Sequence, residues 1–231
     1  MINVKNISKS FASKHALQDI TFQIQRGQFV TLLGANGAGK TTLTRILATL
    51  TRPTRGTARI AGHAIDKEPI AVRRQIGVMS HFSFLYGDLS AEENLHFYGK
   101  MYAVQNLQNR IDELLRQVNL HTRRYDLVRT FSRGMQQRLS LARAILHHPN
   151  ILLLDEPFAG LDVNAHKMLN DLLHNFIAHD STVLLTTHDI DYAVKNSHRL
   201  IIIKGGIVVA DDSTASITTD HIKNILADKA Q

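Results

Sequence analysis

The sequence predicts an α/β fold in which a mixed sheet carries flanking helices, an antiparallel β layer precedes it, and an α-helical subdomain is inserted into it. Three observations carry that expectation. The runs Phe29-Val30-Thr31-Leu32-Leu33, Ile151-Leu152-Leu153-Leu154 and Thr182-Val183-Leu184-Leu185-Thr186 are short, apolar and β-branched, as strands buried on both faces are. Segments 2–7 and 17–24 alternate apolar with polar residues instead (Ile2, Val4; Leu17, Ile20, Phe22, Ile24), which suits a half-buried antiparallel layer. From about residue 86 to 148 the pattern turns helical and strands disappear. We therefore expect one domain over 1–231, with 1–85 and 149–231 as its core and 86–148 as the helical subdomain.

A chain of 231 residues is long enough to bury a sizeable core. No stretch reaches the roughly 18–20 consecutive apolar residues that span a bilayer, and Met1-Ile2-Asn3-Val4-Lys5 begins a strand-like segment without a signal-peptide pattern. A cytoplasmic protein is the expectation. The absence of cysteine excludes disulfides, a zinc-thiolate site and a cysteine nucleophile. The formal charge of +7 is dispersed, and pairs such as Arg73-Arg74 and Arg123-Arg124 sit beside apolar helical positions. Solvated faces, or attraction to an anionic membrane surface, account for it without nucleic acid. Thirteen histidines do not make a transition-metal site, since His147-His148 are adjacent and no His-x-x-x-His pair stands beside a carboxylate.

In chain order, Phe11 falls in the connection between the first two strands, where it either stacks on a planar ring or packs the loop. The turn Gln25-Arg26-Gly27-Gln28 leads into the strand at 29–33. Gly34-Ala35-Asn36-Gly37-Ala38-Gly39-Lys40-Thr41 then matches G-x-x-x-x-G-K-[ST], and residues 43, 46, 47 and 50 continue with helical spacing. Strand, glycine-rich loop and helix N-terminus aim several backbone N–H groups at one anion, which points to nucleotide binding. Gly34, Gly37 and Gly39 permit positive φ and close backbone approach to phosphate. Lys40 brings a mobile charge, and the Thr41 hydroxyl is a hard oxygen suited to Mg²⁺.

Residues 52–56 form a loop, and 56–62 and 76–80 are strands, the latter ending at His81, where α/β sheets gather ligand-binding groups. Ser90-Ala91-Glu92-Glu93 is a capping box opening a helix with Leu95, Tyr98 and Tyr102, and a second helix spans about 107–118. Ser132 opens a third, whose stripe is Met135, Leu139, Ala142, Ile145 and Leu146; it is either a plain N-cap or, with the Gly134 N–H, a second anion site. The run at 151–154 delivers Asp155 and Glu156 to one strand end, and two acids there call for a cation. Asp155 fits a Mg²⁺ ligand, and Glu156 the base that orients or deprotonates water. Gly160-Leu161-Asp162 turns into a helix with Leu169, Leu172, Leu173 and Phe176, and the strand at 182–186 ends in Thr187-His188-Asp189, which places His188 for a γ-phosphate contact. A hairpin around Gly205-Gly206 and a closing helix complete the chain.

These motifs, in this order, resemble the ATP-binding subunits of ABC transporters over nearly the whole length. Residues 34–41 match the Walker A loop, Ser132-Arg133-Gly134-Met135-Gln136 the signature, 151–156 the Walker B strand, Gly160-Leu161-Asp162 the D-loop and His188 the switch histidine. The resemblance implies a P-loop NTPase with a RecA-like sheet, ATP and Mg²⁺ as cofactors, and ATP hydrolysis. It implies nucleotide contacts from Phe11, Gly34, Asn36, Gly37, Gly39, Lys40, Thr41, Thr42, Ser132, Gly134 and Asp162, with Ser132 and Gly134 of one copy closing the site of the other in a head-to-tail homodimer. Lys40, Glu156 and His188 are the implied catalytic groups, and Thr41, Asp155 and position 81 the implied metal contacts. An integral membrane subunit is the implied partner, with this chain peripheral on the cytoplasmic face of the membrane.

Two positions depart from the family pattern. His81 stands where glutamine is usual, and Mg²⁺ does not favour imidazole, so a water-mediated or signalling contact fits better there. Arg133 replaces the commoner glycine. Residues 76–95 together with 131–138 are similar to the haem exporter ATPases of cytochrome c maturation. The rival readings are an efflux ATPase for a drug, lipid or other small molecule, and a soluble ABC ATPase acting on nucleic acid or ribosomes.

Overall fold

The computed structural model describes residues 1–80 and 83–227. The chain begins with β1 (Ile2–Phe11), β2 (Lys14–Ile24) and β3 (Phe29–Leu33), followed by α1 (Lys40–Leu47), β4 (Arg55–Ile60) and β5 (His63–Ala64). Next come α2 (Pro69–Gln75), β6 (Ile76–Met79), α3 (Ala91–Met101), α4 (Leu107–Gln117) and α5 (Arg133–Ile145). β7 (Ile151–Asp155), α6 (Val163–Ala178), β8 (Thr182–Thr187), α7 (Ile190–Asn196), β9 (Arg199–Lys204), β10 (Ile207–Ser213) and α8 (Thr219–Ala227) complete the order.

Two sheets form from the two hydrophobic patterns. β3, β7 and β8 are buried at every residue, as continuous apolar strands must be when helices cover both faces. They lie in a six-stranded sheet of order β10-β9-β3-β8-β7-β6, parallel except for the antiparallel edge strand β10. The alternating strands β1 and β2 join β4 and β5 in an antiparallel sheet of order β2-β1-β4-β5, with Ile2, Val4, Ile7, Ile20, Phe22 and Ile24 turned into the core. Helix α1 sits between the sheets, and its Leu43, Ile46 and Leu47 complete that core.

The helices after β6 build a core of their own from Ala91, Leu95, Ile111, Leu114, Leu115, Leu139 and Leu146. The Ser90 capping box is formed on both sides, its hydroxyl accepting from Glu93 N and Glu93 Oε2 accepting from Ser90 N. Helix α5 belongs to two layers at once. Its Leu139 and Ala142 face α3 and α4, while Leu141 joins the sheet residues Leu152 and Leu154. Gly77 makes the approach possible, because a Cβ there would fall 2.2 Å from Ala144 O.

Several details differ from expectation for physical reasons. Phe11 ends β1 and pairs with Lys14, so it belongs to the hairpin itself. The apolar spacing through Leu50 outruns its helix, since Thr49 takes φ 60° and leaves Leu50 exposed. Helices α2 and α7 have seven residues each, too few to show a period. His81 lies outside the described residues. Among the described residues no helix is long and apolar enough to cross a membrane.

His147 sits at the junction between α5 and β6. Its Nε2 lies 3.1 Å from Ile76 O, and its ring stacks on Tyr102 at 3.9 Å between centroids. Burial pushes its pKa down to about 4, with Arg143 and His148 adding repulsion. Because the folded value lies below the unfolded value near 6.5, the unfolded chain takes up the proton first on acidification. Stability held above pH 6.5 is therefore lost between about pH 6.5 and 4, by up to about 3 kcal/mol. Denaturant titrations across that window should show the loss, and His147→Gln should flatten it.

Candidate active site

The site grows from the end of β3. Gly34 follows the strand so closely against β9 that a Cβ would sit 2.3 Å from Ile203 O. Gly39 has φ 112°, and a Cβ there would meet Ala16 O and Leu17 Cδ2 at 2.7 Å each. The loop thus curls tightly enough for its own carbonyls to face inward. Lys40 Nζ donates to Gly34 O at 2.6 Å and to Ala35 O at 3.1 Å, and only 5% of the residue is exposed. Burial lowers the lysine pKa, while Glu156 and Asp155 oppose the shift.

The acids arrive from β7. Asp155 is buried, and its Oδ1 accepts from Thr41 Oγ1 at 3.1 Å and from Thr186 Oγ1 at 2.6 Å. Glu156 leaves the strand with φ 49° and sends its carboxylate between two basic groups. Oε1 lies 3.7 Å from Lys40 Nζ and 3.1 Å from His188 Nδ1. His188 sits just past the end of β8, where parallel register carries it beside Glu156. Its side chain is 64% exposed, and its contact with Glu156 ties it to a residue that lines the cleft over the glycine-rich loop.

A cleft of about 290 Å³ runs over this loop, lined by Phe11, Lys14, Ala16, Asn36, Gly37, Gly39, Lys40, Thr41, Thr42 and Glu156. The β1–β2 hairpin overhangs one end, with Phe11 half exposed and Lys9 Nζ 4.8 Å from its ring centroid. The other candidates lie elsewhere. Ser132 caps α5, its Oγ accepting from Met135 N at 3.3 Å, and Gly134 follows in the first turn. Asp162 caps α6, its Oδ1 accepting from Ala165 N at 2.8 Å. Arg133 packs over the D-loop, 3.5 Å from where a Gly160 Cβ would stand. Sequence reasoning missed Lys14 and Thr186. Neither belongs to a local motif, and only the strand register brings them to the cleft and to Asp155.

The sequence profile of the ABC transporter family matches residues 17–159. The chain belongs to the ABC transporter family. It is an ATP-binding subunit and an ATPase of that family. This ABC ATPase is 34% identical to the daunorubicin resistance ATP-binding protein DrrA3 of Streptomyces coeruleorubidus, an alignment covering 100% of this chain and 75% of that protein. It is likewise 34% identical to the Nod factor export ATP-binding protein I of Cupriavidus pinatubonensis, over 96% and 69% of the two chains. Its fold matches an ATP-binding subunit of an ABC transporter with TM-score 0.90 at 29% identity, covering 99% of this chain and 100% of the other. A dimeric ATP-binding cassette in a post-hydrolysis state, bound to ADP and Pi, matches with TM-score 0.86 at 27% identity over 94% and 100% of the two chains. The resemblance narrowed to haem exporters is not what these relatives carry; they are named for daunorubicin resistance and Nod factor export.

The crowding around the loop gives a direct expectation. Gly39→Ala forces a Cβ into Ala16 O at a left-handed φ, so nucleotide affinity measured by calorimetry should fall about tenfold or more, a cost of about 1–2 kcal/mol. Unchanged affinity would show that the loop opens without loss.

Proposed function

We propose that this chain binds Mg²⁺-ATP on the Lys40 loop, hydrolyses it with Glu156 as the water-orienting base, and couples that cycle to a membrane-embedded partner. One observation carries the proposal: the buried lysine, the Thr41–Asp155 pair and the Glu156–His188 pair converge on one cleft. Thr41 Oγ1 and Asp155 Oδ1 are 3.1 Å apart. Neighbouring oxygens around an octahedral Mg²⁺ with bonds of about 2.1 Å stand about 3.0 Å apart, so this donor set fits the ion. Bound there, Mg²⁺ would neutralise phosphate charge as it develops.

The protein groups then have separable tasks. Loop N–H groups and Lys40 hold the phosphates, and Phe11 offers a ring face for adenine while Lys9 covers the other side. Phosphate oxygens compete with Glu156 for Lys40 and His188. That competition releases the carboxylate to hold an attacking water, and leaves His188 to donate to the γ-phosphate. Ser132 and Gly134, at a helix tip outside the cleft, suit the nucleotide of a second copy. The dimeric state of the similar cassette supports a head-to-tail homodimer here.

A second surface supports the membrane partner. A cavity of about 130 Å³ between α5, β6 and α3 is lined by Leu50, Arg73, Phe84, Tyr98, Tyr102 and Arg143, among others. Arg143 is 9% exposed; Nη2 donates to Val78 O at 2.6 Å, Nε has no partner, and no carboxylate among the described residues pairs with it. Phe97 and Met101, which precede the lining residues Tyr98 and Tyr102 in the chain, are exposed. Such a surface suits a protein segment bringing apolar side chains together with an acid. A peripheral position on the cytoplasmic face of the membrane follows from that partner. An efflux partner for a drug or other small molecule is supported by the relatives' names, whereas the haem-linked reading rests on residues 76–95 and 131–138 alone.

Lys40→Ala should weaken ATP binding about 10- to 100-fold, the worth of a charge-assisted contact. Glu156→Gln should retain binding, lose about 10²–10⁴-fold in turnover and accumulate as dimer in gel filtration with ATP. Full Mg²⁺-dependent phosphate release by Glu156→Gln would move the base elsewhere. The partner is checked by mild-detergent pull-down from native membranes, with mass spectrometry and an absorption spectrum of the recovered complex. A permease without a haem band is expected; cytochrome c maturation factors with a haem band would restore the haem reading, and ribosomes or nucleic acid alone would overturn the transporter reading.

A further inference from the structure

We propose that Thr186 is a positioning residue for ATP hydrolysis: one hydroxyl ties the Asp155 carboxylate to the backbone of Glu156, so that the metal-side and water-side acids are held as a unit. The inference rests on the proposed roles of those two acids. Thr186 is fully buried on β8, opposite Asp155 in the parallel register with β7. Its neighbours Val183, Leu184 and Leu185 are apolar and equally buried, so burial alone would be served as well by valine. The hydroxyl is explained by its partners instead.

A hydroxyl has one proton and two lone pairs. Thr186 spends its proton on Asp155 Oδ1 at 2.6 Å, a short charge-assisted bond. The lone pairs are thereby turned to the other side, where Glu156 N donates to Oγ1 at 3.1 Å. The same N–H also reaches Thr186 O at 3.1 Å. This shared bond holds Glu156 at φ 49°, a left-handed conformation that a non-glycine residue adopts only when its surroundings fix it. On the Asp155 side, Thr41 and Thr186 both donate to Oδ1, from α1 and β8 respectively. No hydrogen bond from the described residues reaches Oδ2, so the two hydroxyls on Oδ1 set how the carboxylate is turned.

The consequence is a coupling. Rotation of Asp155 breaks the bond that aims the Thr186 lone pairs, and loosening of Thr186 removes one of two acceptors on Glu156 N. Hydrogen-bond partners of ligating carboxylates typically matter about 10- to 100-fold in metal affinity or activity. Thr186→Val keeps the β-branched shape and removes the hydroxyl. Its kcat should fall about 10- to 100-fold, the Mg²⁺ concentration for half-maximal activity should rise, and KM for ATP should stay within about threefold of wild type. Thr186→Ser, which keeps the hydroxyl, should recover most of the loss.

Phosphate release is measured over a Mg²⁺ titration for wild type, both variants and Glu156→Gln. Wild-type kcat and Mg²⁺ dependence in Thr186→Val would overturn the inference, as would an equal loss in Thr186→Ser, which would assign the effect to shape. If Thr186→Val does not fold, Thr186→Cys, of similar volume with a weaker donor, should show an intermediate loss; wild-type kcat there would overturn the inference. Absence of Mg²⁺-dependent turnover in the wild-type protein would instead bring down the reading of the site on which the inference stands.

Discussion

A buried ammonium group held against the Glu156 carboxylate, with the charge of Asp155 nearby, is the constraint around which this molecule is built. Lys40 is 5% exposed, and burial drives its pKa down while Glu156 and Asp155 oppose the shift. Neither side is tolerable alone in an apolar sheet, since an unpaired buried charge costs several kcal/mol. The Gly34 and Ala35 carbonyls complete the solvation of Nζ. For those carbonyls to turn inward the loop must curl, and for it to curl Gly34 must lie against Ile203. Sequence, loop shape and charge are thus one requirement, and a nucleotide's phosphates enter it as a competing set of anions.

The same loop is where the two sheets are joined. Gly206 N donates to Ala38 O at 3.1 Å, and Gln18 N donates to Gly206 O at 2.7 Å, so the tight β9–β10 turn clamps the phosphate loop to β2. A Cβ on Gly206 would sit 2.8 Å from Ala16 O at φ 82°. The antiparallel layer is therefore fixed to the nucleotide loop by backbone contact, and its hairpin end carries Phe11 and Lys14 over the cleft. The half-buried alternation of β1 and β2 acquires a functional meaning only through that clamp.

What was legible in the sequence follows from how far each signal reaches along the chain. Buried strands announce themselves by composition, and the caps Ser90 and Ser132 by the helix they precede, so these elements stand where the patterns place them; the cap at Asp162 shows only in the structure. The Walker A loop is read because all its groups are contiguous. Thr186 escapes such reading because its partners are Asp155 and Glu156, thirty-odd residues away, and only register brings them together. Leu50 errs in the other direction: its spacing continues a helix that the left-handed Thr49 has already ended. The partnerless Nε of Arg143 is equally invisible beforehand, since a basic residue on a helix is ordinarily solvated.

The capping residues also differ in what they can offer a neighbour. Ser132 Oγ accepts from Met135 N at 3.3 Å, which uses one lone pair and leaves its proton free. A serine in that position can hold its own helix and donate to an anion at once, reinforced by the helix N-terminus. Asp162 caps α6 with a shorter bond of 2.8 Å, but an ionised carboxylate has no proton to give a phosphate oxygen. Of these two helix tips, the one beginning at Ser132 is chemically fitted to touch nucleotide directly. Asp162 instead holds the start of α6 at the end of the turn from Gly160, over which Arg133 lies.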